Sequence, residues 1–396
     1  MDAGISRRGF VSAVTAASAQ RVLGANDRVR LGVIGSGDRG RYLMERANSA
    51  GKIEWVALCD AYDAQRNKAE TVAGKKLDQF TDYRRVLERK DIDAVIVATW
   101  DHMHSKITVE ACGSGKDVFV EKPMTLHPME GHEIVRAARQ HKRIIQVGTQ
   151  QRSYPHFQEA KQKFIDSGKI GKVTMVRTIW NGNGAYRNLK PPEGMQTKPQ
   201  GLDWDVCQGM LPKLAWDPKR YFNHYVYWDY STNAQMGGLF VHLVDVVHWY
   251  MKVYRPIAAM CMGGIYLGQE GRDTADNINS IVEYPGNLLV TFEANVTDMI
   301  RKEQVDIAFM GTGGRLNIFR HGYRFLPAGY DEKKGGEITA GTTPDLHVAN
   351  WLDCIRSRKT PNVDAVAGHY AAMACHMCNI SYREKRNVDW KKEWDV

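Results

Sequence analysis

The chain has 396 residues, 43% of them hydrophobic and 25% charged, with a formal net charge of +9. That length holds two ordinary domains, and the composition excludes a disordered or fibrous chain. No apolar run approaches the ~20 residues that cross a bilayer, and the positive charge is scattered over amphipathic stretches, so neither an integral membrane protein nor a nucleic-acid binder is indicated.

The first 25 residues stand apart. Ser6-Arg7-Arg8-Gly9-Phe10-Val11 resembles a twin-arginine export signal, and Ala17-Ser18-Ala19 follows as an A-x-A-like cleavage site. This predicts a signal peptide over 1–25 and a periplasmic protein exported in its folded state. The apolar stretch is short and Arg21 interrupts its end, which leaves a cytoplasmic location as the alternative.

From residue 28 short apolar runs alternate with amphipathic stretches. Strands are expected at 30–34, 54–59, 94–99, 117–121 and 144–148, with helices at 40–48, 64–73, 83–89, 104–114 and 128–141. Such alternation predicts an α/β domain over 28–152, a doubly wound parallel sheet of the Rossmann type. Gly35-Ser36-Gly37-Asp38-Arg39-Gly40 follows its first strand. The first glycine permits the tight turn, the second lets backbone approach a pyrophosphate, and the third allows close helix–strand packing. Asp60, twenty residues past Gly40, closes the next apolar run, where a carboxylate accepts hydrogen bonds from a ribose diol and repels a 2′-phosphate. NAD is therefore the expected cofactor.

Ligands on such sheets bind beyond the strand C-termini, so the residues that follow each strand are candidates. Thr99-Trp100-Asp101-His102-Met103-His104 and Glu121-Lys122-Pro123 are two such clusters, and the proline invites a cis bond that directs the lysine. Gly148-Thr149-Gln150-Gln151-Arg152 leads out of the domain.

Past residue 150 the pattern changes. A helix at 155–167 and a strand at 172–180 precede a long Gly-, Pro- and aromatic-rich stretch from Asn181 to Asn233. A loop of that length is uncommon unless functional. A helix at 238–251 and alternating segments at 257–266, 279–284, 288–294, 304–310 and 315–319 predict an α+β domain over 153–344 with a mostly antiparallel sheet. Two helices, 345–357 and 365–382, close the chain, and 345–396 is expected to pack back on the body. Seven scattered cysteines form no disulfide framework. Cys375-x-x-Cys378 and the i,i+3 pair His242 and Asp245 lack further ligands, so no metal is assigned.

Val33-Ile34-Gly35-Ser36-Gly37, Thr99 to His104, Glu121-Lys122-Pro123 and His242-Leu243-Val244-Asp245 together resemble the glucose–fructose oxidoreductase, inositol dehydrogenase and rhizopine catabolism family, Gfo/Idh/MocA. The resemblance runs from about Arg28 to Tyr382. It implies a Rossmann domain followed by an open-faced sheet that carries the substrate and usually the oligomer interface, a dimer or tetramer. It also implies a sugar, cyclitol or glycoside as substrate. Lys122 and His242 are then the catalytic pair. Lys122 would contact the substrate hydroxyl and the nicotinamide ribose, and His242 would move the hydroxyl proton. Gly35 to Gly40, Asp60, Thr99, Trp100, Asp101, His104, Glu121, Lys122 and Pro123 would hold the cofactor. Arg152, Tyr186, Asp229, Tyr230 and His242 are the expected substrate contacts; of the loop set Trp180, Tyr186, Arg187, Trp204, Trp216, Tyr221, Trp228 and Tyr230, about two or three are expected to touch ligand and the rest to pack the loop onto the sheet. One departure stands out: the family's aspartate four residues before the histidine is Gly238 here. Asp229 is a candidate substitute. The leading expectation is an NAD-dependent oxidoreductase acting on a ring hydroxyl. A redox-assisted glycoside hydrolase or lyase with recycled cofactor, and a non-catalytic NAD- and sugar-binding protein, remain alternatives.

Overall fold

A computed structural model describes residues 28–182, 189–298, 304–330, 338–342 and 346–396. Residues 1–25, expected to be a signal peptide, Tyr186, an expected substrate contact, and Arg187 lie outside the described residues.

The first sheet has six parallel strands: β1 Val29–Ile34, β2 Ile53–Cys59, β3 Asp78–Phe80, β4 Ala94–Val97, β5 Asp117–Val120 and β6 Ile145–Val147, in the order β3-β2-β1-β4-β5-β6. This is the doubly wound order, and helices cover both faces. They are α1 Asp38–Ala50, α2 Asp63–Ala73, α3 Arg84–Leu87, α4 Asp101–Gly113 and α5 Glu130–His141. Strands buried on two faces need apolar side chains on both, and β4 (Ala-Val-Ile-Val) is buried throughout. The short β3, polar in sequence, has no alternation to announce it. It forms because it pairs with β2 at the sheet edge.

After β6 come α6 Pro155–Ala160 and a π-helical continuation at Lys161–Asp166, then the second sheet. Its strands are β7 Val173–Asn181, β8 Ala258–Gly264, β9 Asn277–Tyr284, β10 Leu288–Asn295, β11 Gln304–Gly311, β12 Gly314–Phe319, β13 Gly322–Pro327, β14 Thr339–Ala340 and β15 Val388–Asp389. The order is β14-β13-β12-β11-β7-β10-β9-β8-β15, antiparallel except where β10 runs parallel to β7. Between β7 and β8 the chain makes two short helices, α7 Trp204–Gln208 and α8 Pro218–Phe222. It then winds as a π-helix over Asn233–Phe240 and continues as α9 Val241–Met251. α9 is apolar nearly all round, as a fully enclosed helix must be. Phe240 stacks on Phe292 of β10, and Tyr250 stacks on Phe309 of β11.

Of the closing helices, α10 His347–Ser357 buries Val348, Trp351, Leu352 and Ile355 in one face of the first domain's core. α11 Ala365–Glu384 lies between the two bodies and contributes to the cores of both. Its Cys375 and Cys378 are buried, free thiols.

Candidate active site

The glycine loop joins β1 to α1, and each glycine meets a different constraint. Gly35 has φ +88°, and a Cβ there would lie 2.5 Å from the Ala98 carbonyl. A Cβ on Gly40 would lie 2.0 Å from Gly35 O, so the helix can sit this close to the strand only with glycine. Gly37 is the contrary case: apart from its own chain neighbours, nothing lies within 4 Å of a Cβ placed there. The open space stands at the N-terminus of α1, where unpaired N–H groups and the helix dipole favour an anion. Asp60 ends β2 beside this loop, accepting from Ser36 N at 2.8 Å and Tyr62 N at 3.0 Å. Burial pushes its carboxyl up, and these two N–H groups oppose the rise. Gly35, Gly37, Asp38, Asp60, Thr99 and Trp100 face a cavity of about 330 Å3. Glycine loop, helix N-terminus and a carboxylate lining the same cavity thus fit a dinucleotide.

A second cavity of about 490 Å3 shares the Ala98–Thr99 wall with the first. Arg39, Thr99, Asp101, His104, Glu121, Lys122, Pro123, Gly238 and His242 all line it. The elements explain the convergence, because β4 and β5 deliver their clusters at adjacent C-termini while α9 and its π-helical lead-in form the opposite wall. Glu121 is buried, binds Arg39 at 2.6 Å and accepts from Lys122 N at 3.0 Å. A Cβ on Gly148 would lie 2.9 Å from its carboxylate. The Lys122–Pro123 peptide is cis, and His104 lies between Pro123 O at 2.8 Å and Thr99 O at 2.9 Å.

Lys122 Nζ donates to Gly238 O at 3.0 Å. Burial lowers its pKa, opposed by Glu121 and Asp101. His242 is held well below the usual histidine range, first by burial and then by Lys122, Arg39 and Arg320. It is therefore neutral at pH 7. Its Nδ1 donates to Gln151 Oε1 at 3.0 Å, which leaves the Nε2 lone pair as the proton acceptor. Trp180 packs 5.9 Å from the His242 ring, with Arg320 above its own ring at 5.6 Å.

Several expected residues are elsewhere. Arg152 is buried and bound to Asp245 of α9, Nε to Oδ2 at 2.9 Å and Nη2 to Oδ1 at 2.6 Å. It ties the segment after β6 to the second domain and does not face the cavity. Asp229 binds Arg220 at 2.9 Å with its side chain about half exposed, so it does not replace the family's aspartate. The carboxylates placed beside Lys122 belong to Asp101 and Glu121. Tyr230 is 1% exposed and packs edge-on against Trp100 at 5.2 Å; its surface is spent on that cluster. Trp204 and Tyr221 also gather around Trp100, and Trp228 donates to Asp273 O. Of the aromatics singled out in the sequence, Trp180 alone among the described residues lines the larger cavity. Gln151, which orients His242, lies in the strand-end cluster Gly148 to Arg152 named in the sequence, but no role was assigned to it there. Arg320, in the turn between β12 and β13, carried no signal in the sequence.

Residues 29–149 match the family model described as "Oxidoreductase family, NAD-binding Rossmann fold". The chain is 32% identical over 171 residues to inositol 2-dehydrogenase of Klebsiella pneumoniae (strain 342), covering 43% of this chain and 49% of that protein. It is 32% identical over 188 residues to scyllo-inositol 2-dehydrogenase (NAD(+)) of Bacillus subtilis (strain 168), covering 46% and 54%. The chain thus spans about half the length of the curated relatives it matches. In fold it resembles a levoglucosan dehydrogenase in complex with NADH, with a TM-score of 0.76 at 15% identity over 93% of this chain and all of that one. Myo-inositol 2-dehydrogenase from Lactobacillus plantarum gives 0.70 at 18% identity over 92% of this chain and all of that one. The glycine loop, the strand order and the family match agree on an NAD-binding Rossmann domain over residues 29–149.

Proposed function

We propose that the protein is an NAD-dependent oxidoreductase acting on a ring hydroxyl of a sugar, cyclitol or glycoside. The observation that carries this reading is the shared cavity. Lys122 and His242 face one space, which adjoins the glycine loop's own cavity through the Ala98–Thr99 wall. NAD, when bound, supplies the hydride acceptor. The chain's groups position the alcohol and move its proton. His242 Nε2 takes the hydroxyl proton, since Nδ1 is committed to Gln151. Lys122, its ammonium weakened by burial and steadied by Glu121 and Asp101, hydrogen-bonds the same oxygen as negative charge develops there. Trp180 offers an aromatic face to a ring's C–H groups. The dehydrogenases named above act on related alcohols, which supports the substrate class.

A second reading, net cleavage of a glycoside with no net change in the nucleotide, draws on Gly238. The usual carboxylate is absent there, and a backbone carbonyl engages Lys122 instead. Purified protein, NAD and a panel of cyclitols, sugars and chromogenic glycosides separate the two. NADH formed in step with alcohol consumed supports the first reading; aglycone released over many turnovers without net NADH supports the second. Silence with every substrate, while NAD and sugar still bind, identifies a binding protein.

A homo-oligomer joined through the open face of the second sheet belongs to the same proposal. Met260, Met262, Ile281 and Leu289 leave that face apolar and exposed, Met262 by 71%. Residues 1–25 are proposed as a twin-arginine signal for the periplasm, tested by their ability to export a folded reporter.

A further inference from the structure

The cofactor edge of a doubly wound sheet is ordinarily open beyond its strand ends. Here residues 199–224, from the long connection between β7 and β8, lie across it. They are fastened first by backbone. Leu202 forms an antiparallel bridge with Tyr62. Asp63 N donates to Gly201 O at 3.2 Å, and Asp203 N donates to Ala61 O at 2.9 Å. The approach is close enough to need glycine: Gly201 has φ +77°, and a Cβ there would lie 2.0 Å from Asp63 Oδ2. Farther on, a Cβ on Gly209 would lie 2.3 Å from Met103 Sδ of α4. The segment is therefore seated at two separate points of the first domain, one on each side of the glycine loop.

The second fastening is aromatic. Trp100, from the first domain, is stacked on His224 at 4.5 Å and met edge-on by Tyr221 at 5.8 Å and Trp204 at 6.1 Å. Capped helices stiffen the span: Asp203 accepts from Val206 N at the start of α7, and Asp217 from Lys219 N at the start of α8. The result is a roof. The cavity with Gly37 and Asp60 on its floor is walled on the other side by Val206, Cys207, Tyr221 and Phe222.

We propose that residues 199–224 are a strap over the adenosine end of the dinucleotide site, which forms part of that site and gates exchange of the nucleotide. A dinucleotide whose ribose lies against Asp60 cannot leave along this edge until the bridge at Leu202 and the packing on Trp100 have parted. The nucleotide then exchanges slowly relative to turnover. The inference rests on the NAD-binding reading of the site and extends it to a segment outside the Rossmann domain.

The test is the dissociation rate of NADH, followed by loss of its fluorescence on mixing with excess NAD, in the full-length protein and in Gly201→Ala. The added methyl meets Asp63 and lifts the strap without touching the glycine loop. Dissociation at least tenfold faster in the variant is expected. Equal rates overturn the strap's role and leave the nucleotide site standing; absence of NADH binding to the unaltered protein overturns both. Amide exchange of the unaltered protein keeps the proposal falsifiable if the variant misfolds. The amides of Asp63 and Asp203 should exchange at least tenfold more slowly with NAD than without it, and exchange that NAD does not change contradicts the proposal.

Discussion

Replacing Asp245 by alanine strands the Arg152 guanidinium in the interior. The pair is enclosed, with side-chain exposures of 7% for the arginine and 0% for the aspartate. Two charge-assisted hydrogen bonds join them, and Thr149 Oγ1 adds a third to the carboxylate at 3.1 Å. Burial works against the arginine's charge, and Asp245 more than offsets it, so the guanidinium stays ionised. Removing one partner of such a pair costs about 3–5 kcal/mol, because the other is left buried and uncompensated. With an unfolding entropy of roughly 2 cal/mol/K per residue, that loss lowers the Tm of a chain this long by about 4–6 °C. Replacing both, Arg152→Met with Asp245→Leu, should recover most of the deficit, since an apolar pair of similar volume needs no compensation. Thermal melts of the two single variants and the double variant measure this directly. Steady-state kinetics on the same proteins should show a KM for the alcohol that stays within about twofold, the effect expected of a group outside the site. If Arg152→Met raised KM tenfold and left Tm unchanged, the arginine would be a substrate ligand and its role as a tie between the domains would be wrong.

Two glycine variants should behave oppositely. Gly37→Ala meets nothing beyond its own chain neighbours, so Tm should hold while the Kd for NADH rises at least tenfold; unchanged affinity would remove the phosphate from that space. Gly40→Ala drives a methyl into Gly35 O and should lower stability by about 1–3 kcal/mol, as overpacking against backbone does. Lys122→Met should cut kcat by about 10²- to 10³-fold, the usual worth of a donor to an oxygen that develops negative charge, with NADH affinity largely kept; a wild-type rate would discard the lysine's assignment. Acid should unfold the protein steeply. Burial pushes His102 and His369 down to about 4, and His224, His248 and His376 down to about 3. The unfolded chain takes up these protons from about pH 6.5 downward while the native state refuses them, so the associated stability is present above that pH and is lost as pH falls. Each histidine contributes a slope of at most about 1.4 kcal/mol per pH unit. A Tm that stays level between about pH 7 and pH 5 would contradict the burial of these rings.

The first domain was legible because its signals are local. Alternation of apolar runs fixes the strands, and three glycines at fixed spacing fix the turn, whatever the remainder of the chain does. Lys122 and His242, named by a strand end and a motif, line one cavity. What failed was the choice of partner. Arg152 was expected to face a ligand, and its carboxylate partner lies 93 residues on. Asp229 was expected in the cavity, and its choice was settled nearby by Arg220. Tyr230 was expected to contact the sugar, and Trp204 belonged to a set of which only some members were; an aromatic ring in a loop carries no mark of which surface it will cover, and here Trp100 of the other domain collects both. Asp101 was read for its position after β4, and its proximity to Lys122 emerges only when β4 and β5 lie side by side.

The most direct test of hydride abstraction from a ring carbon uses a substrate from the panel that carries deuterium on the carbinol carbon. Incubated with the protein and NAD, the nucleotide is recovered and weighed by mass spectrometry. Deuterium in the nicotinamide ring, with a rate slowed relative to the unlabelled alcohol, is the predicted result for net oxidation; a recycled nucleotide returns the label to the product, so there the slowed rate is the sign of hydride transfer. Product formed with no deuterium in the nucleotide and no slowing by the label would contradict hydride transfer and the account built on it.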